Sequence, residues 1–112
     1  MFIPIRIDGD HAVIAPRGAI DGDTRRELYA AAASLPASIT TVTWDLRRVD
    51  FMDSTALHLL NDQHEGMHAK GGTLTLSNPR TQPLQLLRLA ALLYPAGPWA
   101  SLLAGLAPVS AA

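Results

Sequence analysis

The chain has 112 residues, 48% of them hydrophobic, a formal net charge of −1 and no cysteine. That is enough for one domain with one sizeable core. Disulfide frameworks, thiolate metal sites and cysteine nucleophiles are excluded, and a near-neutral chain offers no global basic field to nucleic acid. The N-terminal Met1-Phe-Ile-Pro-Ile-Arg lacks the charged and long apolar regions of a signal peptide, so a cytoplasmic domain is expected.

Phe2 to Ile7 alternates apolar with other residues around Pro4, which suits an edge strand. Asp8-Gly9-Asp10 is a turn signal, and His11 to Ala15 resumes as a second strand, so a hairpin is expected. Pro16 to Ile20 leads into Asp21-Gly22-Asp23-Thr24, a run of helix-capping residues. A helix from about Thr24 to Ser34 follows, with Leu28, Ala31 and Ala32 inward, and Pro36 closes it. The β-branched stretch Ile39 to Trp44 reads as a strand covered by helices.

The next helix starts near Ser54 and runs to about Lys70, where Gly71-Gly72 stops it. Its residues Ala56, Leu60 and Met67 stack on one side, with Leu57 and Leu59 on the shoulders. Thr73 to Leu76 is a short strand, Asn78-Pro79 a turn, and Thr81 to about Leu93 a strongly apolar helix. The alternation predicts an α/β fold: a small mixed β-sheet with helices packed against it, in one domain over residues 1–93. Residues 94–112 form an Ala/Pro-rich apolar tail. No charge occurs from Leu89 to Ala112, but Pro95, Gly97, Pro98, Gly105 and Pro108 interrupt the run, so no membrane span is expected. Trp99 to Leu106 suits either a short apolar helix or a poorly ordered tail.

The stretch from Asp45 to Leu60 joins a strand to a helix through a short polar turn that ends Asp53-Ser54-Thr55. A hydroxyl there sits among unpaired backbone N–H groups at the positive end of the helix dipole. That position suits an anion, including a phosphate carried by the hydroxyl itself.

Three motifs and the chain order resemble the STAS domain, the fold of anti-sigma-factor antagonists and of the cytoplasmic ends of sulfate transporters. Gly18-Ala19-Ile20-Asp21 resembles the family's Gly-x-x-Asp step between strand and first helix. Asp45-Leu46 with Val49-Asp50-Phe51-Met52-Asp53-Ser54-Thr55 resembles its strand end and phosphoacceptor turn, and Gly71-Gly72-Thr73-Leu74 its later Gly-then-strand element. The resemblance covers about residues 2–93. It implies an anti-sigma-factor antagonist and no enzyme, with Ser54 as the phosphoacceptor and an anti-sigma-factor serine kinase as the partner. A phosphatase would then reverse the modification. The docking surface it implies comprises Asp21, Asp53, Ser54, Thr55, Ala56 and His58, with no cofactor, no metal and no nucleic acid. Two departures stand out: Ala56 replaces the usual Gly, and Arg47-Arg48 replaces small or uncharged residues. They leave open an unphosphorylated subunit of a transporter or scaffold complex.

A competing motif is His64-Glu65-Gly66-Met67-His68, which spells the His-Glu-x-x-His of zinc hydrolases. The third ligand of its longer form should fall at position 74, which is Leu, and no His, Asp or Glu follows. A half-buried structural His64 is the expected reading, with His58 and Glu65 on a solvated face.

Overall fold

A computed structural model describes residues 1–106. In chain order the elements are β1 (Ile5–Asp8), β2 (His11–Ile14), β3 (Gly18–Ile20), α1 (Arg25–Ala33), β4 (Thr41–Asp45), β5 (Val49–Met52), α2 (Ser54–Ala69), β6 (Thr73–Ser77), α3 (Thr81–Leu93) and α4 (Trp99–Ala104). The expected edge strand is β1, which begins only after Pro4 and pairs antiparallel with β2. β2, β4 and β6 then run parallel, giving a mixed four-stranded sheet in the order β1-β2-β4-β6.

Side chains alternate across this sheet, so its two faces differ. Ala12, Ile14, Val42, Trp44, Leu74 and Leu76 are buried on one face. They share a core with Leu28 of α1 and with Leu59, Leu60 and Met67 of α2. The indole of Trp44 is wholly buried yet keeps its N–H satisfied, donating to Oε1 of Gln63 on α2 at 3.1 Å. On the other face a polar chain crosses three strands: His11 Nε2 lies 2.9 Å from Thr43 Oγ1, which lies 2.8 Å from Thr75 Oγ1.

The sequence predicts four strands, and the described residues form six. β3 and β5, expected as a lead-in and as part of a turn, pair parallel with each other in a second, two-stranded sheet. Each is too short to reveal an alternation, and β5 carries an exposed Asp50 in its middle. The register slips between Gly18 and Ala19, where Gly18 has a φ of 104°, a backbone conformation that a side chain would strain. At the far end of α2, a Cβ on Gly72 would come within 2.6 Å of the Thr40 carbonyl oxygen and 2.7 Å of Met67 Cε. The bare backbone lets the chain turn tightly from α2 into β6.

The C-terminal tail is not featureless. Trp99 and Leu102 of α4 are buried in the common core, and α4 packs on α3 and β6. Residues 107–112 of the predicted tail lie outside the described residues. Among the described residues no helix is long and apolar enough to cross a membrane.

Candidate functional site

The parallel pairing of β3 with β5 sets Ile20 opposite Met52, so Asp21 and Asp53 leave the two strand ends side by side. Asp53 ties the pair to the helix. Its N–H donates to the Ile20 carbonyl at 3.2 Å, and its Oδ1 accepts from the Thr55 N–H at 2.8 Å. Asp53 is thus the N-cap of α2, with an extended backbone at φ −117° and ψ −165°. Asp21 organises the neighbouring loop: its Oδ1 accepts from the N–H groups of Asp23 and Thr24 at 3.0 and 3.2 Å. Thr24 is the N-cap of α1, and its hydroxyl returns to the Ala19 carbonyl at 2.9 Å.

Ser54 is the first residue of α2, and its side chain is exposed. Thr55 is half-buried and His58 exposed one turn further on. Of the six docking residues expected from the resemblance, five reach this surface at least in part; Ala56 does not. It is wholly buried with Leu59 and Leu60, because the apolar stripe of α2 begins there. The Ala in place of the family's Gly therefore fills core and does not narrow the room for a partner. Arg47 and Arg48 lie exposed in the β4–β5 loop, where Asp45 Oδ1 accepts from the Arg47 N–H at 3.1 Å.

Three features of the site were not anticipated. The amide of Gln82 on α3 grips Met52 from the side away from β3: Oε1 accepts from the Met52 N–H at 2.8 Å and Nε2 donates to its carbonyl at 2.7 Å. No periodicity could announce that contact. A groove of about 290 Å³ borders Ser54, with Leu57, His58 and Asn61 of α2 facing Tyr94, Gly97 and Trp99. Finally, Leu89, Leu92, Leu93 and Tyr94 stand 50%, 79%, 60% and 58% exposed, an apolar patch at the end of α3. Here a signal did exist, since α3 carries leucines all round its axis, more than one buried face requires.

At the other end of α2, His64 is half-buried and Glu65 and His68 are exposed. Position 74 is a buried Leu, and among the described residues no three His, Cys, Asp or Glu side chains are grouped to hold a metal ion. The zinc-hydrolase spelling is not accompanied by a third ligand of these types.

A family model described as "Mlab, STAS domain" matches residues 3–93. The chain belongs to the STAS domain family. No curated protein matches it. Among solved structures it is similar to the anti-sigma factor antagonist SpoIIAA in its unphosphorylated form, with a TM-score of 0.65 and 22% identity over 88% of this chain and 86% of that one. The Bacillus cell fate determinant SpoIIAA in its phosphorylated form gives a TM-score of 0.66 and 19% identity over 98% and 93% of the chains. An anti-sigma factor antagonist from Mycobacterium paratuberculosis gives 0.66 and 20% over 81% and 78%. At these identities the likeness is one of fold.

Proposed function

We propose that this STAS domain is a protein-binding module of the anti-sigma-factor-antagonist type, switched by phosphorylation of Ser54. The observation that supports this most directly is the placement of Ser54: exposed, first in its helix, and held there by the Asp53 cap. A phosphate on its oxygen would add about −1.5 to −2 charges at the positive end of α2, where the host fold tolerates them. Across a docked partner, beside Asp50 and Asp53, the same charge repels acidic groups and resists desolvation. The partner is an anti-sigma-factor serine kinase, and the apolar patch on α3 with the adjoining groove extends the docking surface beyond the loop.

The alternative, a constitutive subunit of a transporter or scaffold complex, is favoured by one observation: the exposed leucines of α3 suit a permanent contact. Incubation with a candidate kinase and ATP, followed by intact mass, separates the two. The switch requires a single added phosphate that Ser54→Ala abolishes, and partner binding that Ser54→Asp abolishes. A partner that binds wild type and Ser54→Asp equally well rejects the switch in favour of the constitutive subunit.

A further inference from the structure

We propose that His64 and His68 form a chelating site for a divalent transition metal ion, taking copper(II) and nickel(II) ahead of zinc. The two residues are one helical turn apart, so their imidazoles share a face of α2. Their rings are already parallel, with planes 6° apart and centroids separated by 6.2 Å. Both line a cleft of about 360 Å³ whose other walls are β6 at Thr73–Thr75 and α4 at Ser101 and Leu102. His64 is half-buried in that cleft and His68 is exposed, so packing holds one ligand while the other is free to turn.

Bonds of about 2.0–2.1 Å from one ion to both imidazoles place the two nitrogens about 3 Å apart. Histidines four apart on one helix face can both reach a single ion, and the exposed His68 is the ring free to turn towards it. Water fills the remaining coordination positions, and the Ser101 hydroxyl on the α4 wall of the cleft can hydrogen-bond to it. Two imidazoles without thiolate or carboxylate favour copper(II) over nickel(II) and zinc, following the general order of affinities for nitrogen sites. Glu65 is exposed and does not line the cleft, so it takes no part in holding the ion. Ser54 lies ten residues away along α2, about 15 Å, so metal binding and partner docking use separate surfaces of one helix.

The test is a calorimetric titration of tag-free protein with copper(II), nickel(II) and zinc(II), with electron paramagnetic resonance of the copper-loaded sample. The expected result is one ion per chain, copper tightest, and a copper spectrum showing two equatorial nitrogens. His64→Ala and His68→Ala should each weaken binding by about tenfold or more, since even loss of an outer-shell group costs a site that much. Glu65→Gln should bind as wild type does. Circular dichroism checks that each variant is folded; His68 is exposed, so its variant decides the matter even if His64→Ala does not fold. Undiminished binding in His68→Ala, a spectrum with one nitrogen, loss of binding in Glu65→Gln, or no binding at all would each overturn the proposal.

Discussion

The two sheets of this domain are held together in different ways. The four-stranded sheet rests on its own side chains: Ile14, Val42, Trp44 and Leu76 are completely buried, and the strands pair through regular registers. The two-stranded sheet, which carries the candidate site, depends on interactions from elsewhere. A glycine absorbs its register slip, the Asp53 backbone fastens it to α2, and a side chain from α3 satisfies its outer edge. A stable core thus supports a platform whose position is set by a few directed hydrogen bonds, and damage to the two should be felt differently.

Trp44→Ala should be the most damaging change, costing about 3–5 kcal/mol of stability by emptying the centre of the main sheet. Chemical denaturation measures it, and a loss below about 1 kcal/mol would contradict the assignment of Trp44 to the core. Gln82→Ala strikes the smaller sheet. It leaves a part-buried N–H and carbonyl of Met52 without their partner and should cost on the order of 2 kcal/mol. Hydrogen exchange at Met52 should accelerate more than at Val42; equal acceleration would mean that the two sheets open as one unit.

Asp53→Ala removes the α2 cap and should cost about 1 kcal/mol. Asp53→Asn, which keeps an acceptor, should recover most of that in the same unfolding assay. Ser54→Asp should change stability by no more than about 0.5 kcal/mol, since the side chain is exposed and an acid suits a helix start. A larger loss would show that the fold itself resists charge at this position.

The smallest expected effect concerns Tyr29, whose hydroxyl donates to Asp62 Oδ2 at 2.7 Å and links α1 to α2. Burial first, and then the hydrogen bond to Asp62, raise its pKa above the ordinary phenol value. The folded state therefore favours the protonated phenol. Its contribution is complete below the unfolded pKa of about 10 and disappears as the pH rises through the higher folded value. Ultraviolet titration should show one tyrosine ionising late, and Tyr29→Phe should remove that late step.

The same division explains what was legible in the amino-acid sequence. Thr81–Leu93 emerges as a helix at its expected ends, marked by the Asn78-Pro79 turn before it and by its apolar content; α2 differs from expectation only at Lys70, because the Asp53 cap, Gly71-Gly72 and apolar spacing agree there. The strand expected over Ile39 to Trp44 runs instead from Thr41 to Asp45. β3 and β5 escaped notice because their pairing is long-range and their residues carry no pattern of their own. Asp53, Ser54 and the exposed His58 were readable from motif and helix position together. Gln82 and the Tyr94–Trp99 side of the groove were not, since both depend on how α3 and α4 return over the site.

The grip of Gln82 on Met52 has one further consequence. A short strand with a free edge invites a foreign strand to pair with it, through backbone groups that any sequence can supply. Here β3 occupies one edge of β5 and a side-chain amide closes the other at Met52. The small sheet cannot be lengthened there by strand addition, which closes a route to aggregation and obliges a visitor to recognise side chains.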